Sequence, residues 1–336
     1  MSDALFTSAA ILGSGSFGTA LALLLAPKLD EILLIGRDTD VAETINQEHR
    51  NPRYLGDIQL PETVRAGTEN AAAISHPLIV FAVPTSATRS VAADLAAAGL
   101  PQTAVLLSCA KGIERETGER MTEILREIFP DNPIAALSGP NHAEELAKGM
   151  ASCAVIGSDD SDLVLRLQEL ITLPHFRIYT SDDLAGMELG GAVKNVFAIA
   201  AGIAHGLGLG DNAVAALVTR ALAEMTRLGT ELGGRPETFN GLSGIGDLLV
   251  TCYSEHSRNH RVGLALGKGK TLDEAVSTLG MVAEGVPNTL SIYDAARKAG
   301  VRTPIIDAVY SILYGGKPAA QAMQELLTRD PRPEPD

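Results

Sequence analysis

Hydrophobic positions come in short runs through the first half of the chain and at helical spacing through the second. The runs at 9–12, 32–35, 78–83, 104–107, 134–137 and 152–157 have the length of buried strands. Segments such as 19–25, 86–98 and 119–129, lying between them, have helical character. Strands alternating with helices predict an α/β fold, a doubly wound and mainly parallel sheet with ligands at the carboxyl ends of its strands. After about residue 180 the strand-like runs stop and alanine-rich helical periodicity takes over.

The first strand run leads into Gly13-Ser14-Gly15-Ser16-Phe17-Gly18 and then a helical stretch. A G-x-G-x-x-G turn between a strand and a helix is the setting in which that motif binds a dinucleotide. Gly13 permits the tight turn, Gly15 lets the backbone approach a diphosphate, and Gly18 lets helix and strand pack closely. The N–H groups at the helix start then face the phosphates. A merely tight strand–helix turn is the bland alternative. The second strand run ends in Gly36-Arg37-Asp38. Arg37 suits the 2′-phosphate of NADP, whereas Asp38 could serve the ribose of NAD or simply pair with Arg37. NADP is favoured over NAD. These features predict a Rossmann domain over 1–180, an all-helical domain over 181–328 that supplies most of the substrate site, and a charged, proline-rich tail at 329–336 expected to be disordered.

From 189 to 210 the only formal charge is Lys194, and apolar residues surround almost the whole helix. Such a helix sits inside a protein, where desolvation lowers a lysine pKa toward a range useful for proton exchange. Two plainer readings compete, an ammonium that snorkels to the surface and a membrane span. Six glycines and an early lysine oppose the span.

Composition narrows the function further. A net charge of −14 is set against nucleic-acid or anionic-membrane partners. Cys109, Cys153 and Cys252 are too few and too scattered for a disulfide framework or a metal cluster, so they are read as reduced thiols and no metal is expected. No basic segment precedes the first apolar run, which points to a cytoplasmic protein without membrane insertion.

Four loops carry candidate chemistry. Lys111 follows the fourth run, where it could meet a carbonyl or phosphate or be an ordinary loop lysine. Ser138-Gly139-Pro140-Asn141-His142 leaves backbone donors exposed, and His142, at a helix start, is read as structural or solvated. Asp247 ends a glycine-rich approach, either as a helix N-cap or as an acceptor of substrate hydroxyls. Ser257 can cap the next helix while Arg258 and Asn259 join its N–H groups in a phosphate site.

Taken together, these motifs closely resemble those of bacterial NAD(P)-dependent glycerol-3-phosphate dehydrogenase. The glycine turn, Ser108-Cys109-Ala110-Lys111-Gly112, Ser138-Gly139-Pro140, Gly190-Gly191-Ala192-Val193-Lys194-Asn195, Gly244-Ile245-Gly246-Asp247-Leu248, Ser257-Arg258-Asn259 and Val282-Ala283-Glu284-Gly285 occur in the family's order over nearly the whole chain. The resemblance implies Lys194 as the proton-transferring catalytic residue. It implies Lys111, Gly139, Lys194, Asp247, Ser257, Arg258 and Asn259 as substrate contacts. Ser16, Phe17, Arg37, Tyr54, Lys111, Ala143, Arg258, Val282 and Glu284 match cofactor positions. The implied substrate pair is dihydroxyacetone phosphate and sn-glycerol 3-phosphate, the implied role is supply of phospholipid synthesis, and a homodimer is left open. Phe17 replaces the family's usual tryptophan, Asn141 replaces a frequent serine or threonine and is left outside the site, and Asp38 leaves NAD against NADP open. Two rivals are another dehydrogenase acting on a hydroxy or sugar acid, which would not need an Arg258-Asn259 clamp, and a non-catalytic NAD(P) sensor, which would not need Lys194.

Overall fold

The computed structural model describes residues 6–277, 279, 282–330 and 333–334. Strands β1 (Ser8–Leu12), β2 (Glu31–Ile35), β3 (Val64–Gly67), β4 (Leu78–Phe81), β5 (Val105–Ser108), β6 (Ile134–Ser138), β7 (Ser152–Gly157) and β8 (Phe176–Ser181) form one sheet in the order β3-β2-β1-β4-β5-β6-β7-β8. Every neighbouring pair is parallel except β6 and β7. The strand order reverses between β1 and β4, and this is the crevice where doubly wound sheets bind ligands. The six apolar runs became six of the strands; β3 and β8, at the two edges, had no such run.

Alternation along the central strands shows why both faces are covered. Ile11, Val80 and Leu107 enter one apolar cluster, while their neighbours Leu12, Phe81 and Leu106 enter another on the opposite face. Helices α1 (Ser16–Leu25), α2 (Thr39–Glu48), α3 (Pro52–Leu55), α4 (Thr88–Ala97), α5 (Met121–Ile128), α6 (Ala143–Leu146) and α7 (Ser161–Ile171) accompany the sheet. Two expected helices are shorter than their sequence pattern. The one expected at 86–98 begins as a single 3-10 turn before α4, and α5 starts two residues late because Glu123 folds back onto the Arg120 N–H.

Beyond Ser181 the described residues are helical or irregular: α8 (Leu184–Gly206), α9 (Gly210–Glu231), α10 (Pro236–Phe239), α11 (Asp247–Tyr253), α12 (Arg258–Gly267), α13 (Leu272–Ser277), α14 (Gly285–Lys298), α15 (Pro304–Leu313) and α16 (Ala319–Leu327). Helix α8 is long and apolar enough to cross a membrane, but its most apolar eighteen residues are all buried inside the protein. Glycines let α12 lie against it: a Cβ at Gly202 would come within 2.1 Å of the His260 carbonyl oxygen, and one at Gly263 within 2.0 Å of that of Ile199. Near its N-terminus α8 is tied to the sheet layer. Buried Glu188 accepts from the Thr122 N–H at 2.9 Å, from the Thr122 hydroxyl and from Arg120 at 2.8 Å. Of the tail expected to be disordered, 331, 332, 335 and 336 lie outside the described residues; the Glu334 carbonyl accepts from Arg220 at 2.6 Å.

Candidate active site

The glycine turn has the geometry a diphosphate needs. Gly13 takes φ +115°, and a Cβ there would lie 2.5 Å from the Ala82 carbonyl oxygen. At Gly18 a Cβ would sit 1.9 Å from the Gly13 oxygen, so helix and turn could not close. At Gly15 nothing lies within 4 Å of that position, leaving open space over the N-terminus of α1, whose cap carries no side-chain hydrogen bond. The cradle therefore fits the dinucleotide that its sequence implies. Ser16 donates to the Tyr54 carbonyl oxygen at 3.1 Å, and Phe17 and Tyr54 pack, half-buried, on the sheet's apolar cluster.

Arg37, at the carboxyl end of β2, is exposed. Asp38 does not pair with it. Its Oδ1 accepts from the Asp40 and Val41 N–H groups, capping α2, and its Oδ2 pairs with Arg53.

Four of the substrate candidates, Lys111, Gly139, Lys194 and Asp247, converge where α8 meets the carboxyl ends of β5 and β6. Lys194 is only 4% exposed, which removes the snorkelling alternative. Its Nζ donates to Asp247 Oδ1 at 2.5 Å and to Thr251 Oγ1 at 2.7 Å. Lys111 Nζ approaches the other Asp247 oxygen at 2.8 Å and also donates to the Gly139 carbonyl at 2.9 Å and Asn141 Oδ1 at 2.8 Å. One buried carboxylate thus holds two ammonium groups. Asp247 opens α11 behind a π-helical turn at Leu242–Gly246, but its side chain goes to the lysines, so the N-cap alternative fails.

The electrostatics follow from burial and this sharing. Desolvation brings Lys194 down to about 8; Asp247 opposes that shift, and Lys111 adds to it. Desolvation pushes Asp247 up, but Lys111 and Lys194 outweigh it and hold the carboxyl below its ordinary range. Lys194 is therefore an ammonium at neutral pH that can lose its proton without difficulty. Desolvation also raises the thiols of Cys109 and Cys252 to about 12, keeping them protonated; Cys153 is free and half-buried.

Asn195 connects this cluster to the expected phosphate site. It donates to the Lys111 carbonyl oxygen at 3.2 Å and accepts from Asn259 at 2.8 Å. Asn259 also accepts from the Gly285 N–H, so its carboxamide braces α8, α12 and α14 together. Ser257 caps α12, accepting from the His260 N–H. Half-buried Arg258 acts on the Glu284 carboxyl, which desolvation raises and Arg258 partly lowers. Ala143 is buried at the start of α6, and Val282 is exposed. Arg37 and Tyr54 stand apart from the lysine cluster, at the β2 end of the crevice.

Three neighbours of the cluster fell outside the sequence reading. Asn141 is bonded to Lys111, and its Nδ2 is buried with no partner among the described residues. His142, passed over as structural or solvated, has a buried Nε2 with no partner there, and desolvation, then Lys194 and Lys111, lower its pKa. Thr251 lies one helical turn beyond Asp247, a spacing that could have revealed it.

A dinucleotide cradle and a buried lysine–carboxylate–lysine cluster along one crevice define a nicotinamide-cofactor oxidoreductase. Comparison with known proteins gives the family. The model for the NAD-dependent glycerol-3-phosphate dehydrogenase N-terminus matches residues 8–164, and that for its C-terminus matches residues 183–324. A protein of Chlorobium limicola named glycerol-3-phosphate dehydrogenase (NAD(P)+) is 46% identical over 330 residues, covering 97% of this chain and 98% of its own. A Geobacillus kaustophilus protein of the same name is 44% identical over 331 residues, with 97% and 96% covered. The crystal structure of glycerol-3-phosphate dehydrogenase from Coxiella burnetii superposes with a TM-score of 0.93 at 37% identity, covering 97% of this chain and 100% of that one. The chain belongs to the NAD-dependent glycerol-3-phosphate dehydrogenase family.

Proposed function

We propose that this enzyme interconverts dihydroxyacetone phosphate and sn-glycerol 3-phosphate, with Lys194 exchanging the proton on the carbon-2 oxygen. The observation that carries the reading is the buried Lys194–Asp247–Lys111 cluster at the strand ends. Bound NADPH or NADH would supply the hydride that reaches carbon 2. As it arrives, negative charge builds on the former carbonyl oxygen, and the Lys194 ammonium stabilises that charge more than it does the neutral ketone. Lys194 then gives up one proton and becomes a neutral amine, a step eased by its lowered pKa. Asp247 fixes both lysines in place, and Thr251, one turn further along the same helix face, accepts a second hydrogen bond from Lys194. The guanidinium of Arg258 and the first N–H groups of α12 take the substrate phosphate, with Ser257 and Asn259 beside it.

The same proposal has the nicotinamide half reaching toward Lys111, Ala143, Arg258, Val282 and Glu284, and Arg37 meeting the 2′-phosphate of NADP. It divides the chain into a cofactor domain over 1–180 and a substrate domain over 181–328. It also places the enzyme in the cytoplasm, as a homodimer feeding phospholipid synthesis. The test is oxidation of NADPH and of NADH by the purified protein with dihydroxyacetone phosphate, unphosphorylated dihydroxyacetone and a 2-keto acid. Turnover should require the phosphorylated ketone. Equal turnover of the keto acid would overturn the substrate assignment.

A further inference from the structure

The residue after Arg37 is acidic, and an isolated carboxylate beside a ribose 2′-phosphate would repel it. In the structure both oxygens of this carboxylate have partners. Asp38 Oδ1 caps α2, accepting from Asp40 at 3.1 Å and from Val41 at 3.3 Å, while Oδ2 is paired with the Arg53 guanidinium. Arg53 is presented by a braced segment. Buried Asn51, two residues earlier, donates to the Ser14 carbonyl and to Thr19 Oγ1, both at 2.9 Å, and the Tyr54 carbonyl accepts from Ser16. These bonds tie the 51–54 segment to the glycine turn itself. Between α2 and this segment lies a cleft of about 270 Å3, lined by Asp38, Val41, Thr44, Asn51 and Arg53 among others.

We propose that Arg53 is a specificity-determining residue: it neutralises Asp38 and joins Arg37 in receiving the 2′-phosphate of the cofactor's adenosine ribose. The inference rests on the reading of Arg37 as a 2′-phosphate partner. The Arg53 side chain is 57% exposed and that of Asp38 37%, so the pair contributes little to folding. A guanidinium has five N–H donors, and a single carboxylate oxygen leaves most of them for a phosphate. With both oxygens of Asp38 engaged, the carboxylate is poorly placed to accept the two ribose hydroxyls of NAD. Alone, Asp38 would mark the site for NAD; bridged by Arg53 it becomes a neutral wall.

The test measures binding of 2′,5′-ADP and 5′-AMP to the full chain by calorimetry, with no turnover involved. Arg53→Ala should weaken 2′,5′-ADP about ten- to a hundredfold, the range of one charge-assisted contact, and leave 5′-AMP unchanged or tighter. Arg53→Lys should keep most of the preference. Adding Asp38→Asn to Arg53→Ala should recover part of the loss, because the carboxamide can still cap α2 without the charge. Equal effects of Arg53→Ala on both ligands, or none on either, would overturn the inference. If Arg37→Ala abolishes the preference and Arg53→Ala does not, the reading of Arg37 survives and this one fails. The reverse result overturns the reading of Arg37 and, with it, the shared site proposed here, leaving Arg53 as the sole phosphate partner. A wild-type protein that binds both ligands equally refutes both.

Discussion

Replacing Lys194 by methionine separates the chemistry of the buried ammonium from its packing. Methionine has similar length and favours helix, so α8 should form unchanged. The structure puts a magnitude on what is removed. A shift from 10.5 to about 8, with desolvation and Lys111 outweighing Asp247, means that the site as a whole disfavours the ammonium by about 3 kcal/mol at neutral pH. That cost is present below about pH 8 and is relieved as pH rises from 8 toward 10.5, since the native state loses its proton first. The variant avoids that penalty but takes from the buried Asp247 carboxylate one of the two ammonium groups that offset its desolvation, and the two effects oppose, so the melting temperature should move little. Turnover should fall about a hundredfold or more, the usual contribution of a positioned acid–base group. The pH profiles are more diagnostic. In the wild type, kcat/KM for ketone reduction needs the ammonium and should decline above about pH 8. For alcohol oxidation it needs the free amine and should rise through the same pH. Steady-state assays in both directions from pH 6 to 10, with NADPH binding checked by fluorescence, would show both limbs flattened in the variant. A folded, cofactor-binding Lys194→Met protein that turns over within a few-fold of wild type and keeps both limbs would refute the assignment.

Arg258→Ala should raise KM for dihydroxyacetone phosphate about ten- to a hundredfold, a loss of about 1.5–3 kcal/mol, while leaving the slow reduction of unphosphorylated dihydroxyacetone nearly unchanged; paired steady-state kinetics check this. Arg37→Ala should raise KM for NADPH much more than for NADH, and equal losses would remove its role at the 2′-phosphate. Buried Glu224 caps α15 by accepting from the Ile305 and Ile306 N–H groups, and desolvation raises it to about 7. Because its native pKa lies above the unfolded value, it favours the fold most below about pH 4.5 and loses that contribution as pH rises through 7. Chemical denaturation from pH 5 to 8 should show Glu224→Gln lacking this decline, which amounts to about 3 kcal/mol at most in the wild type.

The sheet was legible wherever a strand is buried on both faces. Residues 78–81 and 104–107 read as unbroken apolar runs because helices cover both sides of the strands they form. Edge strand β8 alternates instead, with Arg177 and Tyr179 turned outward, and β3 has four residues including Arg65, so neither carries a run. The site was legible where burial and charge conflict, as at Lys194, or where glycine is required. It was illegible where a common polar residue gains its meaning from a partner far along the chain. Asn141 matters because Lys111 reaches it, and Asp38 differs from a ribose ligand because Arg53, fifteen residues later, holds it. His142 looked ordinary because sequence does not show that two ammonium groups fold in beside it.

The glycine crossing of α8 and α12 has a consequence for substrate choice. Lys194 is fixed on one helix and Arg258 on the first turn of the other, and the backbones touch with no side chain between them to compress. Such a joint cannot slide or tilt without collision, and Asn195 and Asn259 bolt it near the working end. The two helices therefore act as the jaws of a caliper locked at one setting. On the proposed roles, a molecule is measured from its reacting oxygen to its phosphate before any chemistry occurs. On those roles, a substrate a carbon longer or shorter should turn over less well, because it would strain its contact with the lysine or with the arginine.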